Sequence, residues 1–518
     1  MTGTQVRSPA KVSAARAVAL GIGLPFVAGA VCVFGFAPFY AWPVPMAAVA
    51  ALFYAWSLSG SPRQAWLSGF VFGLGYFLTG VSWVYVSLHD FGGMPAVLAA
   101  LATFLFCAYL ALWPALAGWL TLRFAGRGMG RRLTFAAAAF VACEWVRGWL
   151  FTGFPWLTLG TSQVPEGPLA AFATYVGAYG TSLGITSVAS TLVMLFVLSG
   201  RARAVAAGAL VAILLLAFAA RLPQWTQPAG AAVKIALLQG NIAQEIKWRD
   251  EMRTRTLEAY RQMIFAAKAR VVVIPETALP AFLDELPPAY VESLRQHARA
   301  ENKDILLGTV ERKFVGKGQD YEYFNSLVTL TGGEMQAYRK RHLVPFGEFI
   351  PIGFHWVLAI LHIPLSDFSR GPAEQPPLGA AGIRFGVAIC YEDIFGEEVI
   401  RQLPAAQVLV NVSNDAWFGK SFAAEQHLQA SQMRALETGR WMVRSTNTGA
   451  SAAIDEHGRV VSRLEPFTAA TLLVDVVPRN GSTPYVRWGN LAVLWIVFAT
   501  LAMTSSLGAA LRSRRRAL

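Results

Sequence analysis

RFGVAICYEDIFGE, Arg384–Glu397, is the stretch on which the reading of this chain turns. Small and β-branched residues run without interruption into Cys390, and Tyr391, Glu392 and Asp393 follow at once. An apolar run of that length, with no polar residue on alternate positions, reads as a strand buried on both faces. Cys390 therefore stands where a covered strand gives way to a loop. A cysteine there is either a packed core thiol or a nucleophile presented by a rigid sheet edge.

Working outward, similar strands recur: VKIALLQGN (233–241), ARVVVIPE (269–276), DILLGTV (304–310), YFNSLVTL (323–330), QVLVNVSND (407–415) and TLLVDVV (471–477). Between them lie helix-like stretches such as AYVESLRQHARAEN (289–302), entered through Pro287 and Pro288, and AAEQHLQASQMRALETGR (423–440). Covered strands with helices between them predict an α/β layered domain over residues 222–488.

The rest of the chain has a different composition. Of 518 residues 55% are hydrophobic and only 14% charged, a balance that implies a bilayer. Apolar runs at about 17–36, 43–59, 65–88, 95–122, 133–151, 173–199, 204–221 and 489–511 are each long enough to be read as a crossing, so a bundle of about eight transmembrane helices is expected. Residues 1–221 form a membrane domain of about seven helices, and 489–518 a last helix with a basic tail. The net charge of +13 gathers at the ends of these runs, at Arg123, Arg127, Arg131 and Arg132, at Arg201 and Arg203, and at Arg512, Arg514, Arg515 and Arg516. Alternate junctions lack Lys and Arg, which puts both termini in the cytoplasm and the 222–488 domain on the opposite face. No basic stripe with interleaved aromatics appears elsewhere, so no nucleic-acid partner is expected. Cys32, Cys107, Cys143 and Cys390 have neither disulfide nor zinc spacing, and no metal or cofactor is implied.

Three strand exits carry chemistry. VVVIPETALP delivers Glu276, YRKRHLVPFGEFIP delivers Lys340 and Glu348, and the opening stretch delivers Cys390. A thiol needs a base to take its proton, and the oxyanion formed by its attack needs a cation. Glu276 suits the base, Cys390 the nucleophile and Lys340 the electrophilic support, with Glu348 placed to orient Lys340. Glu144 and Arg147, three apart in CEWVRGW, read as an ion pair on one helix face near the edge of the bilayer, and His89 and Asp90 as outer-surface residues.

The Glu276, Lys340 and Cys390 segments resemble the signature of the nitrilase (carbon-nitrogen hydrolase) superfamily. Together with SRGP (369–372), NVSNDAWFGKS (411–421), MRALETGRWMVRSTNTG (433–449), SWVYVSLHDFGG (82–93), CEWVRGWLFTGFPW (143–156) and TPYVRWGN (483–490), they make nearly the whole chain similar to the bacterial apolipoprotein N-acyltransferase family. The resemblance implies an αββα layered nitrilase-like domain in the periplasm, hung from a polytopic protein of the inner membrane. It implies transfer of an acyl chain from a phospholipid donor, phosphatidylethanolamine chief among them, to the α-amino group of a diacylglyceryl apolipoprotein acceptor, through a thioester on Cys390. By the same match Tyr391 and Glu392 flank the nucleophile, Glu348 is the second glutamate, and Trp248 lies near the substrate entrance. Trp417, Phe418, Phe346 and the aromatics of FTGFPW suit either an apolar mouth that keeps water from the thioester or ordinary core packing. Two other readings share the same three residues: a membrane-tethered hydrolase in which water resolves the acyl-enzyme, and a transporter or scaffold carrying an inert domain.

Overall fold

The computed structural model describes residues 19–244, 247, 249–316, 321–330, 334–351, 353 and 367–506; Trp248 lies outside them. In the polar half the apolar runs form strands β1 (Thr226–Pro228), β2 (Val233–Gln239), β3 (Val271–Ile274), β4 (Asp304–Phe314), β5 (Tyr321–Thr329), β6 (Ala337–Arg339), β7 (Leu378–Ala380), β8 (Ile383–Ile389), β9 (Val408–Ser413), β10 (Met442–Thr446), β11 (Ala452–Ile454), β12 (Val460–Arg463), β13 (Ala470–Val476) and β14 (Arg479–Gly481). Two six-stranded sheets result, in the orders β13-β2-β3-β4-β5-β6 and β12-β11-β10-β9-β8-β7. In each, three neighbouring strands are parallel, β2, β3 and β4 in one and β8, β9 and β10 in the other; all but β10 come from the runs read as strands.

The period of two along a strand divides each run between two cores. Ile235, Leu237, Val271 and Val273 meet Phe385, Val387, Val410 and Val443 between the sheets. Their neighbours Ala236, Leu238, Val272 and Ile274 point outward and are covered by Leu257, Tyr260 and Ile264 of the helix Asp250–Ala266 and by Leu294 and Ala298 of the helix Pro288–Ala300. On the other side Ala388, Leu409 and Met442 pack under Leu428 and Ala435 of the helix Ala423–Thr438. The order is helix, sheet, sheet, helix, as expected.

In the other half every apolar run is helical, but the expectation of about eight crossings is met only in part. Among the described residues three helices, Ala96–Phe124, Ala170–Val197 and Gly200–Ala219, are long and apolar enough to cross a membrane, and a fourth crossing is available if Pro62–Gly80 and Val84–Phe91, bent by 57°, act as one. Pro43–Leu58 and Leu491–Thr504 have 16 and 14 residues. At about 1.5 Å per residue they fall short of a hydrocarbon core of about 30 Å. Met129–Arg147 carries Arg131, Arg132, Glu144 and Arg147, more charge than a simple span bears. Small residues set the helix spacing: a Cβ on Gly29 would lie 2.0 Å from the Phe72 carbonyl oxygen, so the helices Leu24–Cys32 and Pro62–Gly80 touch backbone to backbone.

The halves meet along the helix Ala423–Thr438, which is covered on both sides. Leu428 and Ala435 pack on the sheet, His427 and Ser431 reach Arg444 of β10, and Gln426, Gln429 and Glu437 turn to the bundle. Gln426 accepts from Trp156 Nε1 at 2.6 Å and donates to the Gly80 carbonyl at 3.2 Å. Gln429 accepts from the Ala37 amide at 2.9 Å, and Glu437 from the Ala178 amide at 2.7 Å.

The core between the sheets supports everything above it. Phe385 is 0% exposed there, whereas Val461 on the β12 edge is 53% exposed. Phe385→Ala is expected to destabilise the protein by about 3–5 kcal/mol, and Val461→Ala by less than about 0.5 kcal/mol. Chemical unfolding in detergent, followed by tryptophan fluorescence, measures both.

Candidate active site

Glu276 leaves β3 two residues beyond Ile274, where β9 of the facing sheet also ends. Its Oε2 accepts from the Asn414 amide at 2.8 Å, and its Oε1 from Asn325 Nδ2 at 2.6 Å. Lys340 follows β6 and lies beside Asn325 of β5, whose carbonyl accepts from the Lys340 amide at 2.8 Å. Its Nζ is 2.9 Å from Glu348 Oε1 and 3.4 Å from Glu276 Oε1. Asn325 Nδ2 also donates to Glu348 Oε1 at 3.0 Å. Glu348 is held by its own turn: the Val344 amide donates to its Oε2 at 2.9 Å, and its amide to the Val344 carbonyl at 2.8 Å. Three residues beside these groups, Thr277 (φ 44°), Phe346 (φ 62°) and Cys390 (φ 51°), have left-handed backbone, which non-glycine residues adopt only where their surroundings impose it.

The electrostatics follow from burial. Burial opposes the Lys340 charge, but the carboxylates of Glu348 and Glu276 outweigh it and hold the ammonium well above the ordinary lysine range. Burial, and after it Glu276, pushes the Cys390 thiol up, with Lys340 pulling the other way. Two carboxylates and one ammonium leave a net negative charge beside the sulfur, so the thiol is neutral at rest.

The turn that carries Cys390 is fixed from below and from the side. Glu392 accepts from the amides of Ile389 at 2.8 Å, Arg341 at 2.6 Å and His342 at 3.1 Å, and from Tyr338 Oη at 3.2 Å. It thereby ties the Cys390 turn to the segment bearing Lys340. Burial raises Glu392 to about 7 despite those amides. Tyr391 turns to the helical half and donates to the Gly153 carbonyl at 3.2 Å. The Cys390 carbonyl accepts from Asn411 Nδ2 at 3.0 Å and lies 3.1 Å from His427 Nε2.

Behind it is a buried charge cluster. Arg444 donates to Asp393 Oδ2 at 3.1 Å and Asp415 Oδ2 at 2.9 Å, and His427 Nε2 is 2.8 Å from Asp393 Oδ1. Burial works against both carboxylates, yet Arg444 and His427 hold Asp415 and Asp393 below the usual range. Burial and Arg444 also work against a charge on His427, but Asp393 and Asp415 prevail and raise it.

The structure thus brings Glu276, Lys340 and Glu348 into one cluster and places Cys390 within its electrostatic reach, with Glu392 and Tyr391 as braces of the turn. Phe418 packs on Trp83 and Trp156, and Trp417 on Phe91, so these aromatics sit in the seam with the helical half. Glu144 and Arg147 are 3.9 Å apart and buried; Arg147 donates to the Trp156 carbonyl at 2.8 Å and Glu144 accepts from the Leu159 amide at 2.8 Å, so the pair clamps the loop between. His89 Nδ1 is 2.8 Å from the Met94 carbonyl oxygen. The sequence reading did not single out Asn325, Asn411, Asp393, Asp415, His427 and Arg444. The signal for the strand members was available: Asn325, Asn411 and Arg444 interrupt otherwise apolar strands, and a polar side chain there requires a buried partner.

Comparison with known proteins adds family evidence. Residues 28–191 match the model of the apolipoprotein N-acyltransferase N-terminal domain, and residues 234–485 that of the carbon-nitrogen hydrolases. Proteins named apolipoprotein N-acyltransferase from Nitrosomonas europaea, Methylococcus capsulatus and Chromobacterium violaceum are 47%, 44% and 42% identical to this chain. The alignments cover 95%, 90% and 93% of this chain and 98%, 92% and 93% of those proteins. The crystal structure of a carbon-nitrogen hydrolase from Helicobacter pylori G27 aligns over 50% of this chain and 94% of its own, at 17% identity and a TM-score of 0.35.

Two measurements test the site. Alkylation of Cys390 by iodoacetamide, read by peptide mass spectrometry, is expected to stay slow between about pH 7 and 9, without the rise an ordinary thiol shows near about 8.5; a titration in that window would contradict a thiol raised by burial and Glu276. Arg444→Met leaves Asp393 and Asp415 buried with one cation fewer and is expected to destabilise by about 3–5 kcal/mol. Because both carboxylates are depressed, the stability they contribute is present above the ordinary carboxylate range and lost as pH falls through their lowered values. The deficit of Arg444→Met should therefore be largest near neutrality and shrink on acidification, in parallel unfolding curves.

Proposed function

The chain belongs to the apolipoprotein N-acyltransferase family, and from that premise we propose that it moves an acyl chain from a glycerophospholipid, phosphatidylethanolamine in the first place, to the α-amino group of the N-terminal diacylglyceryl-cysteine of apolipoproteins. The observation that carries this reading is the buried Glu276, Lys340 and Glu348 cluster gathered beside Cys390 at strand ends that abut an apolar helical half.

In the proposed first step Cys390 attacks the ester carbonyl while its proton passes to Glu276 Oε, which suits a thiol that is neutral at rest. Charge moves onto the carbonyl oxygen, where the Lys340 ammonium, held by Glu348, supports it. Collapse breaks the acyl C–O bond, the departing glycerol oxygen takes the proton from Glu276, and a lysophospholipid leaves a thioester behind. In the second step the acceptor amine attacks the thioester, its proton passes to Glu276, and the C–S bond breaks to return the thiol. The donor product leaves before the acceptor reacts, so the kinetics are ping-pong. Asn325 fixes the spacing of the two glutamates and Glu392 and Tyr391 hold the Cys390 turn; the family resemblance, not a described position, assigns Trp248 to the substrate entrance.

The protein works in the bacterial inner membrane, where its lipid substrates are. The proposed topology has both termini in the cytoplasm, seven crossings within residues 1–221, the reaction domain of residues 222–488 in the periplasm and an eighth crossing in 489–518. The short helices and the charged Met129–Arg147 reach across by packing on the longer ones.

The test uses the full chain and phosphatidylethanolamine with a labelled acyl chain. Without acceptor, a hydroxylamine-sensitive acyl adduct is expected on Cys390; with a diacylglyceryl-cysteine peptide the label should move to its amine. Cys390→Ala should give neither, and Glu276→Gln should slow adduct formation by about 10²–10⁴-fold. Release of the labelled acid to water at the same rate with and without acceptor would replace the transferase by a hydrolase, and turnover without any Cys390 adduct would remove the thioester.

A further inference from the structure

A cavity of about 350 Å³ lies in the seam between the two halves, and Cys390, Glu276 and Lys340 are not among its lining residues. One wall comes from the end of Met129–Arg147 and the loop after it, with Trp145, Trp149 and Thr152; the other comes from the reaction domain, with Arg341, Arg370 and Arg401. The charges in its walls are unequally engaged. Glu398 is 2.9 Å from His342 Nδ1, Glu437 is bound by Arg434 and the Ala178 amide, and Glu397 is hydrogen-bonded to Asn490. By contrast Arg341 Nη1, Trp145 Nε1 and Thr152 Oγ1 are buried donors without a partner among the described residues. The acidic side chains are engaged in internal contacts; Asn490 Oδ1 is an acceptor left over on the same lining, and the rest of what remains around the cavity is guanidinium charge and the three donors. Such a surface is completed by an anion with several acceptor oxygens, for which arginine's planar fork is suited.

Its level in the molecule narrows the anion. Trp145 and Trp149 stand at the end of the helix Met129–Arg147, beyond its alanine-rich middle, and Trp149 and Phe151 are 51% and 78% exposed. Tryptophans at a helix end mark the membrane–water boundary, where the phosphates of a leaflet lie. We propose that this cavity docks the phosphodiester of a glycerophospholipid, with Arg341 as its principal contact and Arg370 and Arg401 at the rim. The inference rests on the proposed acyl transfer and extends it. Of the two lipid substrates only the donor carries a phosphate; the acceptor's diacylglyceryl group is joined to cysteine through a thioether. A phosphate site beside one shared reaction centre therefore distinguishes the donor from the acceptor, which the thiol and its base cannot do.

The experiment follows acylation of Cys390 in the full chain as donor concentration is raised, once with phosphatidylethanolamine and once with a phosphate-free donor, para-nitrophenyl palmitate. Arg341→Gln is expected to raise the half-saturating concentration of phosphatidylethanolamine by about tenfold or more and to leave that of para-nitrophenyl palmitate at the wild-type value. Arg341→Lys, which keeps the charge, should recover most of the loss. No shift, or equal shifts for both donors, overturns the proposal. Inorganic phosphate separates the sources: calorimetric binding of free phosphate at micromolar levels, abolished by Arg341→Gln while lipid saturation is unmoved, would make this a free-phosphate site and refute the lipid assignment. Should Arg341→Gln fail to fold, the exposed Arg401→Gln carries the same comparison. Absence of any Cys390 adduct in the wild type is a different failure, that of the acyl-transfer reading itself.

Discussion

A lysine ammonium that is 1% exposed cannot stand alone. Taking such a charge out of water costs several kcal/mol even after the protein relaxes, and only close counter-charges with good hydrogen bonds offset that. Lys340 has two, Glu276 and Glu348, and they come from different parts of the chain: one leaves β3, the other sits in the turn after β6. Each must itself be satisfied, which recruits Asn325 from β5 and the Asn414 amide beyond β9. The order of the strands and the facing of the two sheets are thereby fixed at this end by a requirement for neutralisation, and the thiol is set beside the result.

That arrangement explains the state of the sulfur. A cluster with one ammonium and two carboxylates disfavours a second anion, so Cys390 is held as a neutral thiol and not as a standing thiolate. An enzyme relying on a preformed thiolate would place cations around the sulfur. On the proposed chemistry the proton has a destination in Glu276, and negative charge appears only as it appears on the substrate. On the proposed chemistry the same ammonium serves first to make the carboxylate pair tolerable and then to support the oxyanion, without any group having to move far.

Much of this was legible beforehand. The apolar runs gave the strands because a covered parallel strand has no polar face to confuse its period, and the strand exits gave Glu276, Lys340, Glu348 and Cys390 because each is a lone reactive group at the end of such a run. Three things were not. The number of crossings was legible only in part, since runs such as 43–59 and 133–151 contain short or charged helices that composition alone does not separate from a simple span. The cluster of Asp393, Asp415, His427 and Arg444 depends on strands β9 and β10 lying beside the helix Ala423–Thr438, a contact between segments that no local pattern encodes. The same holds for the seam aromatics: from sequence Phe418 and Trp417 suit a mouth or a core alike, and their partners Trp83, Trp156 and Phe91 across the halves are set by contacts that no local pattern encodes.

The seam also bears on how such a site can handle a water-sensitive intermediate. The Cys390 turn is held on its sheet side by Glu392 and the Arg444 cluster, and on its other side by Tyr391, whose hydroxyl reaches the Gly153 carbonyl of the helical half. That loop is in turn clamped by Arg147 and Glu144, whose charges are buried in the helix end beneath it. The position of the sulfur is therefore set jointly by the sheet and the helical half, and a shift of one against the other would be felt at the turn. An isolated sheet domain would leave Tyr391 and Phe395, which belong to the helical half's own hydrophobic core, open to water beside the reacting atom. Joining the two cores at this turn keeps the thiol's surroundings apolar on the side of the helical half, and on the proposed chemistry that lets an amine compete with water for a thioester that hydrolysis would otherwise remove.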